Sequence, residues 1–410
     1  MKLVSPTEAV QAIPDGSTVI FPHGCVEPVT FYDAFEQEVE RFNDLTIYSG
    51  LAFGRYPFLR KGLGTNFQYK TWQAAPQIRH LFKENKVGFV PMRFSEITKI
   101  VSKDGLIKPD VVVAQVSPPD EEGMVSLGIS VSLYQDFIDS AKIVIAEVNT
   151  NMPMTAGNSR VPIDKIDFAI EASDPLGVYK APHQSERDQK IAESVLDLVP
   201  DNAWVQLGVG SVPDMVLGSL AEKRGVNLYS GMLSQGLLQF MDKVRHTPKL
   251  ITGELAGDQD LYDFCGRTPA VQMVTSSVTH NILLLAKLPR FVSINSAVEI
   301  DLHGQSNGET IGPVQISGVG GSLDYVEAAA LSEGGVSIIA LPSTTEDGKR
   351  SKIVPRLATG AVVTTPRFCT DYIITEYGAA RLKGKDLQAR AEALINIAHP
   401  DFRDELQNSL

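Results

Sequence analysis

The chain carries one block of sequence twice, and this limits its fold more than any other feature. Residues 7–26 read TEAVQAIPDGSTVIFPHGCV and residues 193–212 read ESVLDLVPDNAWVQLGVGSV. At a constant offset of 186, Val10 stands opposite Leu196, Ile13 opposite Val199 and Pro14-Asp15 opposite Pro200-Asp201. Val19, Gly24 and Val26 then meet Val205, Gly210 and Val212. Each copy reads as a short helix, a Pro-Asp turn, a buried strand and a glycine-bearing loop into a second helix. Both copies then reach a strand with the same ending, Leu45-Thr46-Ile47-Tyr48-Ser49-Gly50 and Val226-Asn227-Leu228-Tyr229-Ser230-Gly231. A period this long is the duplication of a whole domain, not a solenoid repeat.

Strands alternating with amphipathic helices imply parallel sheets joined by right-handed crossovers. Further strands are expected at Val87–Val90, Val111–Val116 and Ile143–Val148, then at Leu250–Thr252, Phe291–Ile294, Ser337–Leu341 and Tyr372–Thr375. Helices are expected over 29–42, 189–198, 214–223, 326–333 and 386–400, the last burying Leu387, Ala391, Leu394, Ile395 and Ala398. The Pro-rich, polar stretch at 175–188 marks a boundary. The expected architecture is two similar three-layer α/β domains with mainly parallel sheets, 1–182 and 183–410, and 410 residues suffice for both cores.

Composition removes several function classes. A formal net charge of −12 argues against a general affinity for nucleic acid or an anionic membrane surface. No apolar run reaches the ~18–20 residues of a membrane span, and MKLVSPTEAV lacks a signal-peptide core, so the expected location is the cytoplasm. Cys25, Cys265 and Cys369 form neither a disulfide framework nor a CxxC site and read as reduced thiols. The seven histidines show no HxH or HxxxH spacing, and no metal is expected.

In open parallel sheets, ligands bind where strands end and loops lead into helices. Gly208-Val209-Gly210-Ser211 is such a loop, although a structural tight turn would read the same. Ser317-Gly318-Val319-Gly320-Gly321 is a second, preceding a helix. Two glycine loops could offer paired backbone N–H donors to a developing oxyanion, each worth about 2.7–4 kcal/mol in known enzymes. No Walker A lysine follows either loop, and no GxSxG elbow is present. Glu254 and Glu299 lie near strand ends and are the candidate acid–base or nucleophilic carboxylates, with a salt-bridged structural role as the alternative for each. The loop 53–58 could face a substrate or simply pack.

The stretches QLGVGSVPDMVL (206–217), SINSAVEIDLHGQ (293–305), SGVGG (317–321), SKIVPRLATGAVVTTPR (351–367) and TEYGAARLKGK (375–385) resemble the acetyl-CoA hydrolase/transferase family. So do VSPPDEEGMVSLGISV (116–131) and NTNMPMTAGNSRV (149–161). The resemblance includes the 4-hydroxybutyrate, butyrate and acetate CoA-transferases, with their duplicated α/β fold of the NagB/RpiA/CoA-transferase kind. It implies coenzyme A or acyl-CoA as substrate, with no covalently bound cofactor. It also implies a small carboxylate or water as co-substrate and a homodimer or homotetramer. The family's CoA cradle would fall on Gly208, Val209, Gly210, Ser211, Ser317, Gly320 and Gly321, with the N–H groups of Val209 and Gly321 as oxyanion donors.

One departure stands out. The family places its attacking glutamate about twenty residues after the first loop, in a segment like His-Thr-Glu-Met-Phe-Ser-Asp-Gly; here Tyr229-Ser230-Gly231-Met232-Leu233-Ser234-Gln235-Gly236 occupies that place. Val336 likewise stands where the family has a lysine. Three readings follow: water-dependent cleavage of a CoA thioester, with room left by Gly231 and Glu254 or Glu299 as base; CoA transfer through another carboxylate such as Glu254; or a catalytically silent acyl-CoA binder or subunit of a hetero-oligomer.

Overall fold

The computed structural model describes residues 1–54 and 56–410; Arg55, in the loop singled out at 53–58, lies outside the described residues. Two compact units are formed, one from Met1–Lys180 with Leu250–Thr279 and one from Ala181–Lys249 with His280–Leu410.

In the first unit the central strands are β1 (Thr18–Ile20), β2 (Leu45–Ser49), β3 (Phe67–Thr71), β4 (Val87–Phe89), β5 (Val111–Val116), β6 (Ile143–Asn149) and β7 (Phe168–Ala172). They lie in the order β7-β6-β5-β1-β2-β3-β4, with Lys2–Leu3 at the β7 edge, and every pairing is parallel. All six residues of β5 are buried, as a central parallel strand requires. Helix Val29–Glu38 packs Phe31 and Phe35 against Phe21 at ring-centroid distances of 5.7 and 5.4 Å.

The second unit contains β8 (Trp204–Leu207), β9 (Asn227–Ser234), β10 (Phe291–Asn295), β11 (Val336–Ala340) and β12 (Tyr372–Thr375). Its order is β12-β11-β10-β8-β9, with Gly378–Arg381 antiparallel beyond β12. Five strands of each unit therefore follow the same sequence of positions, β7-β6-β5-β1-β2 and β12-β11-β10-β8-β9. The duplicated, mainly parallel α/β fold expected from the repeat is present.

The expected boundary at 182/183 falls beside the one at 180/181, but residues 250–279 belong to the first unit. The reason is local. The Gly253 carbonyl accepts from the N–H groups of Val131 and Ser132, Leu255 N–H donates to Ile129, and Val271–Met273 pairs with Ala156–Gly157.

The expected strands lie within a few residues of those observed, whereas several helices differ at their ends. The helix expected at 189–198 begins at Glu186, because Ser185 and Asp188 form a capping box. The segment expected as 326–333 spans Ser322–Leu331, and 29–42 ends at Glu38 before a 3-10 turn, Val39–Arg41. Similarly, 214–223 is helical over Ser211–Ser219 and closes in a 3-10 turn, Leu220–Glu222. The single helix expected at 386–400 is two, Leu387–Asn396 and Pro400–Gln407. Pro400 biases His399 toward extended backbone, and the observed ψ of 135° breaks the helix there. Ala391, Leu394, Ile395 and Ala398 are core residues, but Leu387 is 46% exposed at the open first turn. No helix among the described residues is long and apolar enough to cross a membrane.

Candidate active site

Strand order reverses in each unit beside the first repeat strand, between β1 and β5 and again between β8 and β10. Crevices at such switch points are where open α/β sheets bind ligands. In the second unit, the loop leaving β8 is Gly208-Val209-Gly210. Gly210 takes φ +139°, a conformation that suits glycine, and Ser211 opens the helix Ser211–Ser219. Gly208 N–H is already engaged, donating to the Ile294 carbonyl at 2.8 Å. Val209 is 39% exposed. Beneath the loop, Gln206, Ser293 and Asn295 bond to one another at 2.9–3.2 Å, so the base of the crevice is a closed amide–hydroxyl network.

The second glycine loop is folded on itself. Ser317 N–H donates to Glu309, Ser322 Oγ donates to the Val319 carbonyl, and Gly320 has φ +54° with open space beside it. Gly321 stands immediately before the helix Ser322–Leu331.

His280 was not singled out by sequence, and it touches both features of interest. A Cβ built on Gly231 would stand 2.7 Å from its Cε1, 2.9 Å from its Nε2 and 3.0 Å from Tyr325 Oη. A Cβ on Gly321 would come within 3.0 Å of the same imidazole. The His280 and Tyr325 rings are 4.9 Å apart, centroid to centroid. Space at Gly231 is therefore not vacant, as the sequence suggested; a ring fills it. Burial pushes the His280 imidazole down to about 3, so it is neutral at pH 7. A lone histidine carries no spacing signal, which is why only the fold reveals it.

Glu299 lies in the short strand Glu299–Asp301, half-buried, with Oε1 accepting from Asn307 Nδ2 at 3.1 Å. Glu254 belongs to the first unit, inside the strand Leu250–Ala256. Its Oε1 accepts from Ser132 Oγ and lies 3.1 Å from His23 Nε2, with all three residues buried. Its other oxygen and His23 Nδ1 have no hydrogen-bond partner among the described residues. By the repeat offset His23 is the first-unit counterpart of Val209. Nearby, burial holds the Tyr134 phenol well above its usual range, with the Glu254 charge adding to the effect. No group of three or more His, Cys, Asp or Glu among the described residues could hold a metal ion.

Two family models match the chain, the N-terminal domain of acetyl-CoA hydrolase/transferase over residues 1–177 and its C-terminal domain over 257–410. The chain is 39% identical over 415 residues to the 4-hydroxybutyrate coenzyme A transferase of Clostridium kluyveri, covering 99% of this chain and 96% of that relative. The chain belongs to the acetyl-CoA hydrolase/transferase family. It is 32% identical to the butyryl-CoA:acetate CoA-transferase of Anaerostipes caccae, covering 99% and 95% of the two chains. The crystal structure of RipA from Yersinia pestis matches all of this chain and 96% of its own, with a TM-score of 0.92 at 31% identity. The family expected from the sequence motifs is thus the correct one. It makes the chain an enzyme family member whose substrates are CoA thioesters. Gly231 and the second-unit glycine loop at 208–211 lie between the two matched segments.

Proposed function

We propose that the protein cleaves an acyl-CoA thioester with water as the nucleophile. The observation that carries this reading is the occupation of the space beside Gly231. With His280 and Tyr325 within 3.0 Å of a Cβ there, that position has neither a carboxylate nor room for one. In this mechanism Val209 and Gly321 N–H groups hold the thioester oxygen as it becomes an oxyanion. His280 is too weak a base to take a proton at pH 7, so its neutral ring acts as a hydrogen-bonding wall, as a neutral imidazole can. Glu299 receives the proton of the attacking water, the C–S bond breaks and CoA leaves as thiolate. Support comes from the neutral ring packed against Gly321 and from the family's substrate class.

A second reading is favoured by one observation in the first unit. Glu254 has one oxygen fixed by Ser132 and His23 and the other without a hydrogen-bond partner among the described residues, the condition of an oriented carboxylate nucleophile. Transfer to a small carboxylate would then pass through an acyl-glutamyl anhydride and a glutamyl-CoA thioester at Glu254.

One experiment separates the readings. Incubation with a panel of acyl-CoA esters in ¹⁸O-water, with and without acetate and borohydride, is expected to release CoA thiol independently of acetate. One ¹⁸O enters the product acid, and no reduced adduct forms on the protein. A borohydride-trapped adduct at Glu254 would establish transfer instead. Tight CoA binding with no turnover across the panel would overturn both in favour of a silent binder.

A further inference from the structure

The second unit of this acidic chain carries an arginine cluster that forms no ion pair among the described residues. Arg390 is 8% exposed, yet among the described residues its guanidinium bonds only to backbone carbonyls: Lys385 at 3.2 Å, His303 at 3.2 Å and Arg367 at 2.7 Å. A buried guanidinium normally sits against a carboxylate, because an uncompensated charge in a dry site is costly. Here it gathers three turns instead, and these turns present further cations outward. Arg356, exposed, places Nη1 3.0 Å from His303 Nδ1 and 2.7 Å from Nε2. Exposed Arg367 stands in the turn closed by Cys369 N–H on the Pro366 carbonyl. Among the described residues, Arg356, Arg367 and Arg390 form no ion pair.

Nearby carboxylates are committed elsewhere. Asp301 accepts from His303 N–H, Gln305 N–H and Gln305 Nε2 at 2.7–3.0 Å, and Asp386 caps a helix through Ala389 N–H at 2.8 Å. His303 is held below its usual range by partial burial and then by Arg356, with Arg367 acting in the same direction and Asp301 opposing. The local field is thus positive where the whole chain is at −12. Beside Arg367, Phe368 is 77% exposed and presents an aromatic face to solvent.

We propose that Arg356, Arg367, His303 and Phe368, built on buried Arg390, form a binding site for a nucleotide phosphate. The planar donor forks of Arg356 and Arg367 match phosphate oxygens. The Phe368 ring provides a surface on which a base can stack, which inorganic phosphate would not need. The site stands apart from the cleavage reading, since it requires no turnover. The phosphorylated nucleotide could be the tail of a CoA ester or a separate free nucleotide, and the two share this chemistry.

The test is calorimetric titration of the full chain at low salt with adenosine 3′,5′-bisphosphate, pyrophosphate and adenosine. The bisphosphate is expected to bind, and R356Q/R367Q to weaken it at least tenfold with an unchanged circular dichroism spectrum. F368A should weaken the bisphosphate several-fold while leaving pyrophosphate untouched, and adenosine alone should not bind measurably. An equal tenfold loss for CoA, absent for 3′-dephospho-CoA, assigns the site to the CoA tail; unchanged CoA affinity assigns it to a free nucleotide. The proposal is overturned if the bisphosphate binds the wild type no more tightly than it binds R356Q/R367Q. Failure of thioester cleavage would leave these titrations unaffected, so the two readings fail separately.

Discussion

The main-chain N–H of Phe31 donates to the carboxylate of Glu147 at 2.8 Å, tying the first turn of the helix Val29–Glu38 to the centre of β6. Gln115 Nε2 donates to the other oxygen at 2.9 Å, and no part of Glu147 is exposed. Burial pushes this carboxyl up to about 7, outweighing both hydrogen bonds. A carboxyl whose folded pKa exceeds its unfolded value near 4.5 stabilises the fold below that lower value. The contribution is then lost as pH rises through about 7. Glu147→Gln should therefore flatten the decline: relative to wild type, its thermal midpoint should be higher at pH 8 than at pH 5. The shift corresponds to a few kcal/mol at most. Midpoints falling in parallel for the two proteins would contradict the assignment.

His280 gives the opposite sign. Its folded pKa lies near 3 against an ordinary 6.5, so the unfolded chain binds a proton more readily and the native state loses stability as pH falls from 6.5 toward 3. His280→Gln removes the titrating group from a site where no charge is tolerated. Urea midpoints between pH 7 and pH 4.5 should drop less for the variant than for wild type. Equal drops would mean that His280 is solvated.

At Gly231 the structure revises the obvious engineering experiment. Restoring a side chain there drives Cβ to 2.7 Å from the His280 ring, a close contact with a rigid group rather than with a flexible tip. Gly231→Ala should cost about 1–3 kcal/mol by overpacking. Gly231→Glu alone should fold poorly and show no CoA exchange between acetyl-CoA and acetate. Combined with His280→Ala, the same change should recover thermal stability and gain exchange, a non-additive pair. Strictly additive losses in the double variant would show that the ring and residue 231 do not compete for space.

How much of this was legible beforehand follows from what each signal depends on. The shared strand order of β1, β2, β5, β6 and β7 with β8–β12 was foreshadowed by the register of Val10, Ile13 and Gly24 against Leu196, Val199 and Gly210, because duplication leaves a linear trace. Val111–Val116 was readable as a valine-rich run, four of its six residues being valine. The break at His399 was written in Pro400 but obscured by the apolar spacing on either side of it. His280, by contrast, meets Gly231 across 49 residues of chain, and nothing in either neighbourhood marks the other. The His23–Ser132–Glu254 cluster is similarly assembled from three distant segments, so Glu254 was visible as a carboxylate but its partners were not.

Glu254 is the residue whose two roles separate most cleanly by experiment. As a structural acceptor it satisfies Ser132 and His23, and removing it leaves both buried groups short of a hydrogen-bond partner, a loss of about 1–3 kcal/mol for each. As a nucleophile it would also be required for every turnover. Glu254→Gln keeps a hydrogen-bond acceptor of the same shape toward Ser132 but cannot form an anhydride. Under water-dependent cleavage, this variant should lose thermal stability yet keep kcat for CoA release within about tenfold of wild type, since a tenfold change is only about 1.4 kcal/mol in the barrier. Single-turnover release of CoA thiol, followed at a temperature where both proteins are folded, measures this directly. A drop beyond a thousandfold with intact folding would transfer the chemistry to Glu254 and make the neutral imidazole beside Gly231 a structural plug.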